Sequence, residues 1–383
     1  MKTLIPCLVA PAVVMLLSAC GTTAPAVSHS TPGQTPAPEQ PQTAQTDTPP
    51  HERVSHELTG VTTNVRRMTF AEEGADFDPC VSMDGTRLVF ASTQHRPTSD
   101  IYIKRTDSRI ITRLTTDPAD DAMPALSPDG SRIAFASNRA GNWDLYVMSA
   151  SGGQAVQLTS DSADEIQPSW SPDGTRLVYS RRGDTSGRWE LWVTPVQNPA
   201  AATFIGNGMH PRWCPKPGTG ENGADKILFQ LGRDRGRRSF GIWTLDYADG
   251  NALNNTEIAG HPDAALINPA WSPDGQWVAF AEVDASEADP DSRPRRASVW
   301  MIGIDGDARV RLTSDASASF GPVWTASNRL YYTSNAGGVE NIWSLDASRA
   351  VAAAKGTTDP LASSPVPHPA DPAVAGASDS PHH

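Results

Sequence analysis

Between residues 123 and 159 short apolar runs alternate with clusters of turn-forming residues. Met123 to Ser127 is the first run, and Pro128-Asp129-Gly130 then turns the chain, Pro fixing φ and Gly accepting φ > 0. Arg132 to Ala136 alternates as a second strand. Asn138 to Asn142 makes the next turn, and Trp143 to Met148 is a third strand. Ser151-Gly152-Gly153 turns again into Ala155 to Thr159, the fourth. The pattern predicts a unit of four short strands joined by three turns.

That unit recurs. Asp78-Pro-Cys-Val-Ser-Met-Asp-Gly85 is followed by Met123-Pro-Ala-Leu-Ser-Pro-Asp-Gly130, then by Gln167-Pro-Ser-Trp-Ser-Pro-Asp-Gly174. Further along stand His210-Pro-Arg-Trp-Cys-Pro-Lys-Pro-Gly218, Asn268-Pro-Ala-Trp-Ser-Pro-Asp-Gly275 and Gly321-Pro-Val-Trp-Thr-Ala-Ser-Asn328. The leading prolines Pro79, Pro124, Pro168, Pro211, Pro269 and Pro322 are spaced by 45, 44, 43, 58 and 53 residues. A period of ~40–45 with several strands per unit is the signature of a β-propeller blade. The two longer steps call for insertions rather than extra blades.

The last unit stops at its third strand, Glu340 to Asp346. Ahead of the first unit stands Asn64-Val-Arg-Arg-Met-Thr69, which has the form of the fourth strands Ile111 to Thr115 and Arg309 to Thr313. The N-terminal strand is therefore expected to complete the last blade, sealing the ring and removing an open edge. The fold class read from these features is all-β: a six-bladed β-propeller of four-stranded antiparallel blades, the last closed by the N-terminal strand. Trp170, Trp213, Trp271 and Trp324 share one repeat position and are expected between blades, as are Trp143, Trp192, Trp243, Trp300 and Trp343 on third strands. The Asp residues of Ser-Pro-Asp-Gly read as turn formers.

The repeated Pro-x-Trp-Ser-Pro-Asp-Gly, Phe-x-Ser-x-Arg, Asp-(Leu/Ile)-Tyr-Val and Leu-Thr pattern resembles the TolB-like propeller family. The resemblance covers about Val61 to Asp346 and is most specific in the second, third and fifth units. It implies a periplasmic setting and a protein partner at the propeller mouth, since the family's namesake binds the peptidoglycan-associated lipoprotein there. The repeat also looks like the propeller of prolyl-oligopeptidase-type serine peptidases. Their Gly-x-Ser-x-Gly nucleophile elbow does not occur in this sequence.

Composition adds the setting. The 383 residues carry a net charge of −12, which argues against a protein that tracks nucleic-acid phosphates. Four Cys (Cys7, Cys20, Cys80, Cys214) form no CxxC, so neither a zinc ribbon nor a redox pair is written here. Cys80 and Cys214 fall in blades one and four, opposite each other in a six-fold ring. A disulfide needs Cα atoms within ~7 Å, so both are expected to be free. No phosphate loop, calcium loop or nucleotide fingerprint is present, and no cofactor is expected.

Residues 1–19 read as a lipoprotein signal peptide: Lys2, an apolar core from Leu4 to Leu17, then small residues. Leu17-Ser-Ala-Cys20 followed by Gly21 resembles the bacterial lipobox, making Cys20 the expected lipid-bearing residue and a lipid anchor the expected contact with the membrane. Gly21 after that Cys, by resemblance to lipoproteins of diderm bacteria, favours the outer membrane, facing the periplasm or the cell surface. Residues 20–60, rich in Pro, Thr, Gln and Ala, cannot bury a core and read as a disordered tether. Residues 61–348 are assigned to the propeller and 349–383 to a disordered Pro/Ala-rich tail.

Blade geometry separates two faces. Turns between strands one and two and between three and four share one face and are short. Connectors into each first strand, with the loops between strands two and three, share the other and carry the irregular segments where binding usually lies. The residue before each leading Pro (Asp78, Met123, Gln167, His210, Asn268, Gly321) is expected to ring the channel mouth. An acidic arc that includes Asp121 and Glu165 is expected opposite basic loop residues including Arg233 and Arg235, a charge split that would orient a polar partner. The candidate partner-binding mouth is thus Asp78, Gln167, His210, Asn268, Asp121, Glu165, Arg233 and Arg235. The function expected is an envelope-anchored, non-catalytic protein-binding or scaffold module. The alternative is a propeller enzyme, a lyase or glycosidase acting on envelope or extracellular glycans, for which Asp78 and Asp121 would be the acid/base pair. Such a reading leaves a glycan as the other class of ligand.

Overall fold

The computed structural model describes residues 62–232, 240–284 and 296–356. The signal peptide, Cys20, the tether, Arg233, Arg235 and most of the tail lie outside the described residues. Six four-stranded antiparallel sheets follow one another around a ring, as the repeat predicts. The first strand, β1 (Thr63–Arg67), belongs to the last blade. Blade one is β2 (Asp76–Val81), β3 (Arg87–Ser92), β4 (Asp100–Arg105) and β5 (Ile111–Arg113). Blade two is β6 (Asp121–Leu126), β7 (Arg132–Ser137), β8 (Asp144–Ser149) and β9 (Val156–Gln157). Blade three is β10 (Glu165–Trp170), β11 (Arg176–Arg182), β12 (Trp189–Pro195) and β13 (Thr203–Asn207). Blade four is β14 (Met209–Trp213), β15 (Asp225–Gly232), β16 (Phe240–Ala248) and β17 (Asn251–Ala259). Blade five is β18 (Ala264–Trp271), β19 (Trp277–Asp284), β20 (Ser298–Gly303) and β21 (Val310–Arg311). Blade six is β22 (Ser319–Trp324), β23 (Arg329–Gly337) and β24 (Val339–Asp346), completed by β1.

The inner strands β2, β6, β10, β14, β18 and β22 each touch the inner strands on either side, and β2 meets β22. They line a central channel. The two long steps of the repeat are insertions: a longer first turn between Trp213 and Asp225 with extended strands in blade four, and the segment between Asp284 and Ser298 in blade five.

Ring closure uses the same chemistry as the other blades. Thr69 Oγ1 accepts the Ile342 N–H at 2.9 Å, while Met68 N–H donates to the Ile342 carbonyl at 2.8 Å. Thr115 does the same for Ile101, Thr159 for Leu145 and Thr313 for Val299, at 2.8–2.9 Å. This explains the repeated Leu-Thr pair: the hydroxyl satisfies a third-strand N–H where the short outer strand ends. At the closure the buried Asn341 amide adds more, its Oδ1 accepting from Ala71 N–H at 2.8 Å and its Nδ2 donating to the Ala71 carbonyl at 3.2 Å.

Between blades, arginines act as latches. Arg87 and Arg132 each donate to the glycine carbonyl of the next blade's Ser-Pro-Asp-Gly turn, Gly130 and Gly174, at 2.7 Å. Arg132 also lies over the Trp170 ring, 4.6 Å from its centroid. Trp170, Trp213, Trp271 and Trp324 are all buried, and the indoles of Trp170 and Trp271 donate to Ala125 and Arg212 carbonyls of the preceding blade at 2.9 Å. Burying one such ring contributes roughly 1.5–3 kcal/mol. Trp143 departs from the expected set: it stands one residue ahead of β8, the place Trp189 holds in blade three, and Tyr146 fills the mid-strand position of Trp192. The turn aspartates behave as expected, Asp129 accepting from the Ser127 hydroxyl and the Ser131 N–H, and Cys80 and Cys214 are both free.

One part of the region assigned to the tail is ordered. A short helix, α1 (Ser348–Ala354), buries Ala350 and Val351 against an apolar cluster that includes Trp277, Trp324 and Leu330. Its alanines look like low-complexity sequence, but Ala350 is fully buried and Ala354 partly so in this corner between blades five and six.

Asn341→Ala should lower unfolding free energy by about 1–3 kcal/mol, because it leaves the buried Ala71 N–H without an acceptor. Urea denaturation of the variant beside the parent measures this, and a change below about 0.5 kcal/mol would show that the closure does not depend on that side chain.

Candidate functional site

Each inner strand is interrupted at its proline. Phe77 pairs with Ala91 and Cys80 with Val89, so Asp78 and Pro79 together oppose Phe90. The same two-against-one bulge recurs opposite Phe135, Tyr179, Phe229, Phe280 and Tyr332. Proline has no N–H to continue the ladder, and a bulge absorbs the missing bond by kinking the strand. The residue before it takes positive φ in every blade: Asp78 50°, Met123 54°, Gln167 59°, His210 54°, Asn268 53° and Gly321 54°. Asp, His and Asn accept that conformation more readily than most residues, and Gly accepts it freely. Part of the polar character of this ring is therefore a backbone requirement.

The kink also turns the N–H of the bulge residue toward the preceding blade. Met123 donates to Asp78 Oδ2 at 3.2 Å, His210 to Gln167 Oε1 at 2.8 Å, and Asn268 to Gln230 Oε1 at 2.9 Å. Inside the channel Arg212 Nη2 lies 2.9 Å from His210 Nε2, and the Asn268 amide lies 3.3 Å from His210 Nδ1. A guanidinium can only donate, so Nε2 is the acceptor and Nδ1 carries the proton. The Asn268 amide must then present its oxygen to the ring, an orientation set by donor capacity. Burial and the adjacent Arg212 charge push the His210 imidazole well below its usual pKa, so it is neutral.

The structure thus brings Asp78, Gln167, His210 and Asn268 around one narrow cavity of about 50 Å3, with Met123 and Gly321. They sit within the inner strands, not at their opening. Arg212, Thr333 and Glu340 share the cavity, and sequence reasoning did not single them out. Arg212 could have been found. It follows the leading proline, where the other units have Cys80, Ala125, Ser169, Ala270 and Val323, and it is the one charged residue of the six.

Asp121 and Glu165 are not part of an exposed arc. Both are fully buried, each beside an arginine of its own blade. Arg139 Nη2 contacts both Asp121 oxygens, at 2.8 and 3.0 Å, and Arg181 Nε lies 3.4 Å from Glu165. The expected Asp78–Asp121 acid/base pair is accordingly not assembled: Asp121 faces Arg139, and Glu340 is the carboxylate that shares the cavity with Asp78. Arg181 also pairs with Asp161 and Asp184. One guanidinium cannot neutralise three carboxylates, and the buried Glu165 is the one that holds a proton, burial and the nearby Asp161 charge pushing its pKa up to about 9.

Beyond the constriction, on the short-turn face, the channel widens into a funnel of about 360 Å3 to which all six blades contribute. It is walled by prolines and by Trp170, Trp213, Trp271 and Trp324, with Met83 at the rim and Arg212 at the base. Among the described residues no cluster of three or more His, Cys, Asp or Glu is placed to hold a metal ion.

Residues 52–216 match the family model described as the TolB beta propeller domain. A TolB homolog of Chlorobium luteolum is 33% identical over 86 residues, 22% of this chain and 19% of that protein. The match thus spans about a fifth of that curated relative's length. A TolB structure from Agrobacterium tumefaciens superposes with a TM-score of 0.52 at 22% identity, covering 63% of this chain and 81% of that one. An oligogalacturonate lyase from Vibrio parahaemolyticus gives 0.51 at 13% identity, over 76% of this chain and 96% of that one. At such identities the two structures share the fold with this chain and nothing finer. Residues 52–216 thus resemble the TolB beta propeller domain, and both superpositions agree with the six-bladed fold described above.

The proton on Glu165 is bound in the folded state and lost on unfolding, since the ordinary value is 4.5. Stability from this group is full below that value and declines as pH rises toward about 9. Glu165→Gln should therefore gain in melting temperature relative to the parent between pH 5 and pH 8.5. A difference between the two proteins that stays constant across that range would mean the carboxyl is ionised in the folded state.

Proposed function

We propose that this chain is a non-catalytic protein-binding propeller, held at the bacterial envelope by lipid on Cys20 and presenting the long-loop mouth of its channel to a protein partner. The observation that supports the reading is the polar constriction behind that mouth: the half-buried Asp78 and Glu340 share one cavity with the buried Gln167, His210 and Asn268, on strands fixed by the ring. Several of these groups already spend their hydrogen bonds on one another or on neighbouring blades, which suits a rigid recognition surface. The match to the TolB propeller model over residues 52–216 supports the same reading. A lipid on Cys20 and a tether over residues 20–60 would let the propeller reach a partner on the order of 100 Å from the membrane, at ~3.1 Å per residue. Such a partner would be an envelope protein, of the kind represented by peptidoglycan-associated lipoproteins.

Gln167, His210 and Asn268 take part in contacts between blades, and Asp78 accepts one from Met123, so charge reversal at the half-buried Asp78 and Glu340 is read beside a thermal-unfolding control that shows the ring intact. Full-length protein with Asp78→Lys and Glu340→Lys, beside the parent, would be purified from solubilised envelope of a diderm host. One protein partner retained by the parent and lost with the double variant is the expected result. Retention by both forms would remove the mouth as the site, and retention by neither would count against protein binding. In the same cells Cys20→Ser should move the protein from the membrane fraction to the soluble fraction and abolish palmitate labelling. A variant still labelled and membrane-bound would place the anchor elsewhere.

A further inference from the structure

The funnel on the short-turn face, about 360 Å3 against about 50 Å3 for the constriction, lies opposite the mouth just described. We infer that it is a second binding site, one that takes the C-terminal end of a peptide, the terminal carboxylate meeting Arg212 and an apolar last side chain resting among the tryptophans.

Four observations carry this. The first is the break in the repeat: a layer of six residues at the funnel base is Cys80, Ala125, Ser169, Ala270 and Val323 in five blades and Arg212 in the remaining one. A six-fold layer of small neutral side chains broken by one long cation is asymmetric in a way that the repeat does not require. The second is the state of that cation. Among the described residues, one of its five N–H groups is committed, to the neutral His210 ring, and no carboxylate is hydrogen-bonded to it. Asp78, which shares the narrow cavity with it, acts on it electrostatically without a hydrogen bond. A half-buried guanidinium with free donors is well matched by a bidentate carboxylate.

Thirdly, the wall is chemically uniform. Proline and tryptophan dominate it, Met83 at the rim is 43% exposed, and Arg212 is the one charged side chain among its described lining residues. Aromatic and proline surfaces of this kind receive apolar side chains and extended peptide backbone. Finally, the size fits. At about 360 Å3 the funnel lies in the lower range of small-ligand pockets, ~300–1,000 Å3, enough for a chain end but not for a folded domain. Width at the rim, where all six blades contribute, favours a ligand that continues outward over an enclosed small molecule.

The test uses the full chain and a panel of probe peptides, acetyl-Ala-Ala-Phe, acetyl-Ala-Ala-Leu and acetyl-Ala-Ala-Val, each as free acid and as C-terminal amide. Binding is read by calorimetry and by tryptophan fluorescence, since four indoles line the site. At least one free acid should bind at least tenfold more tightly than its amide, and Arg212→Gln should erase that preference. Met83→Glu, at the rim and outside the blade core, should weaken the free acid by several fold and leave the amide unchanged, which keeps the test decisive if the Arg212 variant fails to fold. Free acids and amides that bind equally, or that all fail to bind, would overturn the proposal. So would 3-phenylpropionate binding as tightly as the best peptide, which would reassign the funnel to small carboxylates.

Discussion

The constraint on which the rest of the molecule depends is the bulge at the proline of each inner strand. A strand that reaches proline loses one ladder donor, and here the loss is absorbed by setting two residues against one buried aromatic ring, six times around the axis. The residue ahead of the proline is forced to positive φ, which costs on the order of 1 kcal/mol or more for a residue other than glycine. In return, at Met123, His210 and Asn268 the kink turns the N–H out of its own sheet and toward the blade before it. What would be a defect inside one blade becomes the hydrogen bond that joins two.

The same economy of parts governs the outside of the ring. The threonine that ends each well-formed outer strand satisfies a third-strand N–H, and the N-terminal Thr69 does this for Ile342 with the geometry of its counterparts. The closing strand is held as an ordinary fourth strand would be, with the Asn341 amide reinforcing the join between segments about 270 residues apart in sequence. Arginine latches from second strands to neighbouring turns then fix the angle between blades. The channel is as rigid as these three devices together make it.

That rigid channel has two unlike ends. Toward the long loops it is narrow and polar, with the neutral His210 held between a guanidinium and an amide. Toward the short turns it is wide and apolar, walled by the same tryptophans that pack the blades. Arg212 stands at the boundary and belongs to the lining of both. A polar mouth on one face suits recognition of a folded partner's surface. An apolar funnel with a single cation at its base suits the end of a chain.

Much of this architecture was legible because propellers are built from local signals. The period of the leading prolines, the Pro-Asp-Gly turns and the displaced Thr69 strand each report on a few neighbouring residues, and together they determine blade number, strand order and ring closure. They also place Asp78, Gln167, His210 and Asn268 at one level of the axis. What they could not convey was which side chains remain accessible there. Asp121 and Glu165 look like surface acids in the sequence, yet Arg139 from the loop after β7 and Arg181 from the end of β11 pair with them. The α1 helix looks like tail because its alanines carry no pattern, and only the corner between blades five and six gives them something to pack against. Arg212 was visible as an odd residue in a repeat, but its meaning depends on five other blades placing small neutral groups around it. The sequence by itself determined the ring, since five blades are each specified by contacts within one repeat unit and the sixth is completed by a displaced strand of recognisable form. Only the tertiary structure decided the chemistry of the channel, since every group in it is defined by neighbours from other blades.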